Sequence, residues 1–512
     1  MPKIKVDNIE TTVPDGINLI EAAKLVGKAV PHYCYHSQLS VAGNCRMCLV
    51  EIEKQPKLQI ACNTKVQEGM SFFTESPKVK EAQQFVLEFI LVNHPIDCPV
   101  CDQAGECKLQ QYYMKYDARP SRFEETKVHK EKAIELGPNV MLDMERCILC
   151  SRCVRFCKEI AEEDQLCFSQ RGDHTMLTTF PDRPLDNPYS VNTVDICPVG
   201  ALTSKDFRFQ QRVWFLKGVE TICTGCATGC NVRMDHNQGK VFRLVPRDNE
   251  AVNEAWMCDE GRLTYKPVNA ENRLRHPLVK TAEGLREVRM ETALEKFGEL
   301  LKNISGHVLL GIGSAEFTNE DNYALIRFLQ ENFPVPHLAY TAREVEYPSQ
   351  DDYLISADKN PNRAGVTAMG MKPLASEDRK YQCLIGLGPI SESTLTALSF
   401  EKDHKVIVFA THREASLDYA DLVFPVATFA ELTGTMVNRQ GRVQMLRPAF
   451  APPGESKTVW EILSQAARLM SRAKPAYTAP EQVFADLAEL VPAFKGLNYE
   501  LIGKQGALLT KQ

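Results

Sequence analysis

The chain has 512 residues and a formal net charge of −6, with an isoelectric point near 6.1. This length predicts about three or four domains rather than one core. The small negative charge, without a basic tail or patch, argues against a nucleic-acid-binding protein. No apolar run of about 18 residues is present and the first residues lack the apolar segment of a secretory signal, so we expect a cytosolic protein without a membrane span.

The distribution of cysteine is the strongest signal in the sequence. Of the 18 cysteines, all but Cys383 lie between Cys34 and Cys258. Reduced cysteines at such spacings indicate metal binding. Zinc is one reading of each Cys-x2-Cys pair, whereas four thiolates, or three with an imidazole, are the donor set of an iron–sulfur cluster. The candidate ligands form a first to a fourth group: Cys34, Cys45, Cys48 and Cys62; His94, Cys98, Cys101 and Cys107; Cys147, Cys150, Cys153 and Cys197; and Cys223, Cys226, Cys230 and Cys258.

The first group lies in a region of short strands. Residues 1–75 predict strands at IKV, TTV and CLVEIE, and a short helix at INLIEAAKLVG with Asn18 or Asp15 as its cap. One cysteine, a loop pair and a distant fourth cysteine are the general plan of a plant-type 2Fe–2S site. Ten residues separate Cys34 from Cys45 where that plan has four, so we expect a longer loop.

The second group follows a predicted helix at residues 78–92, which has a broad apolar face. Pro95 disfavours helix at His94. A histidine beside a proline is usually unremarkable, but His94 stands four residues before a Cys-x2-Cys that otherwise lacks a fourth ligand. We therefore predict that His94 is a ligand. A neutral imidazole in place of a charged thiolate shifts a cluster potential upward, as in Rieske centres.

The third group begins as a bacterial-ferredoxin run, Cys147-x2-Cys150-x2-Cys153-x3-Cys157. In two-cluster ferredoxins the fourth cysteine of such a run ligates the other cluster. The second run is missing upstream of Cys197, where the corresponding positions hold no cysteine. By this logic Cys197 completes the third group and Cys157 is a buried free thiol. Cys167 is predicted to lie in the core.

The fourth group reads Cys223-x2-Cys226-x3-Cys230-x27-Cys258 and predicts a 4Fe–4S site in a small domain of its own. After it, buried strands alternate with helices, which predicts an α/β region with a parallel sheet. Cys383 lies inside one of these strands and is predicted to be core. The predicted strands are NVRMDH and KVFRLVP within the fourth group and then 307–313, 381–388, 405–411 and 420–428, with helices near 319–332 and 458–473.

The order of the four groups resembles the large iron–sulfur subunits of NADH-quinone oxidoreductase, respiratory complex I. The resemblance is carried by NCRMCLVEIE, NHPIDCPVCDQAGECKLQ, RCILCSRCVRFC and DICPVGAL. The fourth group, together with LISADKNPNRAG and ADLVFPVATFAELTGTMVNRQGRVQ, resembles molybdopterin oxidoreductases. The resemblance implies a multidomain α+β and α/β chain: a plant-type 2Fe–2S ferredoxin-like (β-grasp) domain at 1–78, a 4Fe–4S segment with three cysteines and a histidine at 79–118, a bacterial-ferredoxin-like 4Fe–4S domain at 119–215, a molybdopterin-oxidoreductase-type 4Fe–4S domain at 216–272 and a truncated molybdopterin-oxidoreductase-like α/β domain at 273–512.

The resemblance implies one 2Fe–2S cluster on the first group and a 4Fe–4S cluster on each of the others, without molybdopterin. It implies an electron relay with no catalytic residue of its own, between an FMN- and NADH-binding subunit and quinone-proximal subunits. Other peripheral-arm subunits are expected partners and the membrane arm an indirect one, with the complex on the cytoplasmic side of the inner membrane. Three arginines beside ligands are candidates to offset cluster charge, or else plain surface residues: Arg46, Arg152 and Arg155.

Four other interpretations are open. An iron-only hydrogenase would carry a second ferredoxin run and a cysteine-rich catalytic half, both of which this sequence lacks. A molybdenum-dependent formate dehydrogenase fits the fourth group and the α/β region. The diaphorase small subunit of NAD-reducing hydrogenases shares the first three groups but is expected to end near residue 240. A zinc-stabilised scaffold is the interpretation without redox chemistry.

Overall fold

The computed structural model describes residues 1–302, 304, 308–375, 379–470 and 476–510. They form two compact units, Met1–Leu216 and Lys217–Gln512. In the described residues no helix combines the length and the apolar character needed to cross a bilayer. His307, at the start of the strand predicted at 307–313, and the end of the helix predicted at 458–473 lie outside the described residues.

The first unit begins with a mixed sheet that carries the first group. Its elements are β1 (Lys3–Val6), β2 (Ile9–Thr12), α1 (Leu19–Leu25), β3 (Leu49–Ile52), β4 (Gln59–Ile60) and β5 (Ser71–Phe73). The strand order is β2-β1-β5-β3-β4, with β1 parallel to β5 and the other pairs antiparallel. The side chain of Asn18 caps α1 by accepting a hydrogen bond from the amide of Glu21 at 3.0 Å, which confirms Asn18 as the cap.

Two helices flank the second group: α2 (Pro77–Leu91) and α3 (Lys108–Tyr116). Helix α2 starts where the sequence predicts, because Ser76 accepts a hydrogen bond from the amide of Val79 at 3.3 Å and Pro77 occupies the first turn. Helix α3 begins directly after Cys107, so the last cysteine of the second group stands at a helix N-terminus.

The third group is carried by short strands and helices: β6 (Ile134–Glu135), β7 (Val140–Leu142), α4 (Arg152–Glu159), β8 (Leu166–Ser169), β9 (Met176–Thr179), α5 (Asn192–Asp195) and β10 (Leu202–Ser204). Strands β10, β7 and β6 form a three-stranded sheet, and β8 and β9 form a hairpin. The prediction that Cys167 is core is wrong. Cys167 lies on β8 and is half-buried, because this two-stranded hairpin leaves one face partly open.

The second unit opens with a three-stranded antiparallel sheet and a short helix: β11 (Lys217–Ile222), β12 (Asn231–Asn237), β13 (Lys240–Pro246) and α6 (Asp259–Arg262). The two strands predicted between the ligands of the fourth group, NVRMDH and KVFRLVP, are thus β12 and β13. Cys258 stands at the N-terminus of α6 and its thiol accepts a hydrogen bond from the amide of Gly261 at 3.3 Å.

An eight-stranded sheet dominates the rest of the second unit. Its elements are β14 (Leu278–Thr281), β15 (Gly284–Glu287), α7 (Met290–Leu301), β16 (Leu309–Ser314), α8 (Asn319–Asn332), β17 (His337–Thr341), α9 (Arg363–Ala368), β18 (Lys372–Pro373), β19 (Lys380–Leu387), α10 (Glu392–Ala397), β20 (Ser399–Ala410) and β21 (Leu422–Pro425). The strand order is β15-β14-β21-β20-β19-β16-β17-β18, and the six strands from β21 to β18 are parallel. The predicted parallel sheet is confirmed, with β14 and β15 added as antiparallel strands at one edge.

Strand β19 is buried on both faces, as the apolar run predicts. Cys383, Ile385 and Leu387 belong to one core cluster, whereas Leu384 belongs to the cluster on the opposite face. The strand period of two explains this alternation. Cys383 is therefore core, as predicted. The last elements of the chain are β22 (Gly434–Val437), β23 (Arg442–Leu446), α11 (Val459–Leu469), α12 (Pro480–Leu490), α13 (Tyr499–Ile502) and β24 (Ala507–Leu508).

Candidate metal centres

The four cysteines of the first group come together in pairs. The thiols of Cys34 and Cys45 hydrogen-bond to each other, and so do those of Cys48 and Cys62. The first hydrogen bond lowers the pKa of Cys34 and raises that of Cys45, and backbone amides of Asn44 and Cys45 also lower the pKa of Cys34. Two pairs of thiols suit a cluster with two irons, each iron held by two thiolates.

The loop that carries the first group takes unusual backbone conformations. Gly43 has a φ of +62°, and a Cβ on it would lie 3.3 Å from the side chain of Ile60. Arg46, between the ligands Cys45 and Cys48, has a φ of 59° and is exposed. Because its guanidinium lies in solvent, Arg46 is a weak candidate for offsetting cluster charge.

The four cysteines of the third group line one cavity with an empty volume of about 340 Å³. Burial raises the pKa of Cys147 to about 12 and that of Cys150 to about 11. Leu149 and Ser151 adopt left-handed φ values of 52° and 63°, and the amide of Leu149 donates to the thiol of Cys147 at 3.4 Å. The tight turn thus aims a backbone amide at a ligand sulfur, a contact that tunes cluster potentials.

Cys197, the fourth member of the third group, lies on a loop that is distant in sequence from the other three cysteines. Backbone amides of Val199, Ala201 and Leu202 hydrogen-bond the thiol of Cys197 and lower its pKa, while burial raises it by more. Cys157 does not line this cavity. It is fully buried in α4, where burial raises its pKa to about 12. Its burial is as predicted for a free thiol.

The second group surrounds a larger and more open cavity. His94, Cys98 and Cys107 line it, with an empty volume of about 1740 Å³. Cys101 is outside that lining, but its thiol interacts electrostatically with that of Cys98 and with that of Cys107. Cys98 is exposed, whereas Cys101 and Cys107 are buried. This is the most solvent-accessible of the four groups.

The imidazole of His94 is held in its neutral form. Burial lowers its pKa to about 4, and the positive charges of Arg146 and Lys127 act in the same direction. A neutral ring presents a free nitrogen lone pair at neutral pH, which is the form in which histidine binds metals. The structure therefore suits the predicted role of His94 as a ligand.

The fourth group lies in the second unit and lines a cavity of about 340 Å³ empty volume. Burial raises the pKa of Cys223 to about 12 and that of Cys258 to about 11. The amide of Gly225 donates to the thiol of Cys223 at 3.4 Å. A Cβ on Gly261 would lie 3.1 Å from the sulfur of Cys223 and 3.2 Å from that of Cys258, so glycine keeps this wall of the cavity clear.

The α/β part of the second unit holds the loop of the fourth group. The hydroxyl of Thr228 donates to the carbonyl of Leu354 at 2.6 Å, and the amide of Ala227 donates to the carbonyl of Asp358 at 2.8 Å. The side chain of Gln444 donates to the carbonyl of Gly229 at 3.0 Å. The fourth group is thus built into this domain rather than appended to it.

Two contacts join the second group to the third within the first unit. Arg146, next to Cys147, forms an ion pair with Asp97, next to Cys98, at 2.9 Å. The amide of Lys108 donates to the carbonyl of Pro198 at 3.0 Å. None of these four residues is among the candidate ligands and charge-compensating arginines that the sequence predicts. Their positions directly beside ligands were the available signal.

The arginines predicted to offset cluster charge differ in their environments. Arg152 is 4% exposed, so the interpretation of it as a surface arginine is wrong. It donates to the backbone carbonyls of Ile196, at 3.0 Å, and Tyr35. Arg155 is half-buried and donates to the carbonyl of Cys34 at 2.5 Å. Both side chains therefore extend from the third group to the loop of the first.

The donor sets, four thiolates or three thiolates with an imidazole, are those that iron–sulfur clusters use. Zinc needs its donors about 2.0–2.3 Å from one point. In the described part of the chain, no three His, Cys, Asp or Glu side chains are arranged to hold a single metal ion. The thiols of the third and fourth groups each line a cavity, as expected when every thiol binds a different iron of a 4Fe–4S cluster. Buried thiols with raised pKa values also need nearby positive charge to ionise, and iron supplies it.

The α/β sheet fits a phosphate-bearing cofactor poorly at the N-terminus of α8, where such folds bind one. Glu320 and Asp321 are both buried there. Asp321 accepts from the amide of Val459 at 2.9 Å, and Glu320 accepts from the amide of Thr435 at 2.7 Å. Both carboxyl groups lie in the first turn of α8, where they disfavour a second anion. These residues do not fit the dinucleotide form of molybdopterin at this helix.

Five protein-family models match the chain, and their order follows the four groups. They are described as 2Fe-2S iron-sulfur cluster binding domain, residues 2–77; NADH-ubiquinone oxidoreductase-G iron-sulfur binding region, 83–122; NADH-quinone oxidoreductase subunit 3, ferredoxin-like domain, 137–203; NADH-ubiquinone oxidoreductase NDSU1/NuoG-like, 4Fe-4S domain, 216–266; and molybdopterin oxidoreductase, 374–468. The fold class predicted from the sequence is confirmed by this series of domains.

Curated relatives carry consistent names. The G-type subunit of NADH-quinone oxidoreductase from Rickettsia conorii is 39% identical over 331 residues, 65% of this chain and 49% of the relative. The iron-sulfur protein 1 of mitochondrial NADH dehydrogenase [ubiquinone] from Solanum tuberosum is 41% identical over 63% of this chain and 44% of its own length. The 78 kDa subunit of NADH-ubiquinone oxidoreductase from Candida albicans is 29% identical over 96% of this chain and 85% of its own length. The alignments span about half the length of the bacterial and plant relatives.

Among solved structures, a chain from the crystal structure of an NAD+-reducing [NiFe]-hydrogenase in the H2-reduced state is 28% identical. That match covers 41% of this chain and 91% of the other, with a TM-score of 0.37.

Proposed function

We propose, from its resemblance to the large iron–sulfur subunits of NADH-quinone oxidoreductase, that this chain is an electron-transfer iron–sulfur subunit of a respiratory complex I. In this role it relays single electrons from an FMN-bearing subunit toward quinone. Hydride transfer from NADH, quinone reduction and proton translocation belong to partner subunits. The observation that carries the proposal is the gathering of the third and fourth groups around cavities that thiols line, on a chain whose family models follow the same order.

The proposed ligand sets are those of the four groups. The first group would hold a 2Fe–2S cluster, and each of the others would hold a 4Fe–4S cluster. We propose domain boundaries at 1–78, 79–118, 119–215, 216–272 and 273–512. The second unit begins at Lys217, which supports the boundary near 216. We propose that no molybdopterin is bound, which the carboxyl groups of Glu320 and Asp321 at α8 support.

Bound clusters would supply one-electron redox chemistry, and the polypeptide would set the conditions for it. Burial of Cys150, Cys153 and Cys230 keeps water from the ligand sulfurs. The amides of Leu149 and Gly225 donate to ligand thiols at 3.4 Å and stabilise their charged form. These donors are backbone amides, which do not titrate.

The polypeptide contacts favour a sequence of first, third and second group. Helix α4 contacts the loop of the first group through Arg152 and Arg155. The Asp97–Arg146 pair and the Lys108–Pro198 hydrogen bond connect the third group with the second. The third group thus touches both of the others, which supports a central position on the route. The exposed Cys98 in the second group supports an exit to a partner at that end.

We propose an FMN- and NADH-binding subunit and other peripheral-arm subunits as partners, with the membrane arm an indirect one. The expected location is the cytoplasmic side of the inner membrane, as a peripheral part of the complex. Residues 273–512 would dock neighbouring subunits. The fourth cluster would stabilise this domain, since its loop bonds to residues far along the chain such as Leu354 and Gln444.

The test is reduction by NADH through the flavin subunit. NADH is added anaerobically to the purified chain alone and to the chain assembled with its FMN-bearing partner, and reduced clusters are detected by EPR. Reduction is expected only in the assembled sample. The variant Cys150→Ser should prevent reduction of the second group, whereas the matched control Cys157→Ala should not. NADH reduction of the isolated chain, or unchanged reduction in Cys150→Ser, would contradict the proposal.

A further inference from the structure

Side chains on one face of helix α4 hydrogen-bond the loop of the first group. Arg152, Arg155 and Glu159 are spaced three and four residues apart, so they lie on the same side of the helix. Glu159 accepts a hydrogen bond from the amide of Ser40 at 2.8 Å. Arg155 donates to the carbonyl of Cys34 at 2.5 Å. The same helix carries Cys153 of the third group, so one element serves two candidate clusters.

Arg152 differs from the other two residues because it is buried and bridges both sites. Its guanidinium donates to the carbonyl of Tyr35, next to Cys34, and to that of Ile196, next to Cys197, the latter at 3.0 Å. Its Nε has no hydrogen-bond partner among the described residues. Two of the three guanidinium nitrogens of Arg152 thus hydrogen-bond the backbone segments that carry ligands of the first and third groups.

The charge of Arg152 has no carboxylate partner in the part of the chain that the structure describes. The groups near Arg152 that can become negative are the thiols of Cys150, Cys197 and Cys34, which belong to both groups. A buried, unpaired cation is strongly destabilising, so a compensating negative charge is required. A cluster bound by four thiolates carries net negative charge, and this charge is one of the determinants of its potential.

We propose that Arg152 is a positioning and charge-compensating residue shared by the first and third clusters, and that it raises the reduction potential of both. This inference rests on the proposed function, because it requires clusters on both groups. One-electron reduction of either cluster adds one negative charge, which the guanidinium stabilises while keeping its proton. The shared cation would shift the two potentials in the same direction.

The structure supplies contrasts for this assignment. Arg155 is half-buried and hydrogen-bonds the first-group loop and Ser151, whereas Arg46 is exposed beside Cys45. Solvent screens an exposed charge far more than a buried one. Removal of the Arg46 charge is therefore expected to change the reduction potential of the first cluster little. Removal of the Arg152 charge is expected to change the potentials of both the first and the third cluster.

The experiment is a redox titration of the full chain, purified anaerobically, with cluster signals followed by EPR. Arg152→Gln should lower the midpoint potentials of the first and third clusters together, and leave that of the fourth cluster unchanged. Arg152→Lys, which keeps the charge, should retain both potentials near wild type. Arg46→Gln is the matched control and should shift neither. A shift of only one potential in Arg152→Gln, or of none, would overturn the proposal.

The Arg152→Lys variant also tests the proposal if Arg152→Gln fails to fold or to bind its clusters. Lowered potentials in Arg152→Lys, with iron content intact, would show that hydrogen-bond geometry rather than charge is responsible, and would overturn the inference. Potentials near wild type, together with a lowered thermal midpoint, would support it. Absence of clusters from the wild-type chain would instead contradict the proposed function, so the two failures are distinguishable.

Discussion

Gly200 and Cys101 are in such close contact that no side chain fits between them. A Cβ on Gly200 would lie 2.3 Å from the sulfur of Cys101. Gly200 follows the third-group ligand Cys197 by three residues, whereas Cys101 belongs to the second group. Glycine at this position therefore allows the loops of two groups to meet.

Gly200→Ala is expected to displace Cys101 and to lower the occupancy of the second cluster, because the new methyl group overlaps a ligand sulfur. The effect requires no backbone strain, since the φ of Gly200 is outside the left-handed range. Iron content and the EPR signal of the second cluster are the measurements. Gly298→Ala is the control, because its Cβ would meet its nearest neighbour, in Met470, at an ordinary 3.8 Å. Full occupancy in Gly200→Ala would show that the second group is assembled differently.

The assignment of Cys197 rather than Cys157 to the third group can be tested directly. Cys197 lines the cavity of that group and Cys157 does not. Cys197→Ala should lose most of one cluster, about three to four iron atoms per chain. The Cys157→Ala variant should keep the wild-type iron content. It should lose only some folding stability, because a smaller side chain replaces a buried thiol. The reverse pattern of iron contents would exchange the roles of the two residues.

His94→Cys should keep a cluster on the second group but lower its midpoint potential. A thiolate adds negative charge where a neutral imidazole stood, and negative charge disfavours reduction. Redox titration with EPR detection measures the change, and the potential of the fourth cluster serves as internal control. An unchanged potential for the second cluster would mean that His94 is not a ligand.

The buried carboxyl group of Glu320 predicts a pH-dependent stability of the second unit. Burial raises its pKa from an ordinary 4.5 to about 7, so the native state keeps a proton that the unfolded chain has lost between these values. The free energy of unfolding should therefore fall as pH rises from about 4.5 to 7, by roughly 3 kcal/mol, and level off above that. Asp321, with its pKa raised by burial to about 6, contributes in the same direction.

Glu320→Gln cannot titrate at this position and should weaken this dependence, leaving the part that Asp321 contributes. Urea unfolding of the second unit at pH 5 and pH 8 measures the difference. The control Glu299→Gln changes an exposed side chain and should behave as wild type. An equal pH dependence in Glu320→Gln and wild type would assign the effect to other groups.

Local patterns predicted much of the fold and most members of the site. The helix at 319–332 and the strands β12 and β13 follow from periodicity and capping, because these signals are contained within each segment. The four groups follow from cysteine spacing for the same reason. Cys167 was misjudged because the hairpin of β8 and β9 has no partner sheet to cover its open face.

Contacts between segments that are distant in sequence could not be predicted from local sequence patterns. Arg152 and Tyr35 are separated by 117 residues, and only the folded chain shows that one helix holds the loops of two groups. The antiparallel edge made by β14 and β15 and the start of β20 at Ser399, six residues before the predicted strand, also depend on tertiary pairing. Gly200 belongs to this class, since its role depends on the nearby Cys101.

The most direct test of the account is the iron, sulfide and molybdenum content of anaerobically purified chain. One 2Fe–2S and three 4Fe–4S clusters predict about 14 iron atoms and about 14 sulfides per chain, without molybdenum. Stoichiometric molybdenum with pterin would contradict the account and identify a catalytic dehydrogenase subunit, and zinc in place of iron would contradict the electron relay altogether.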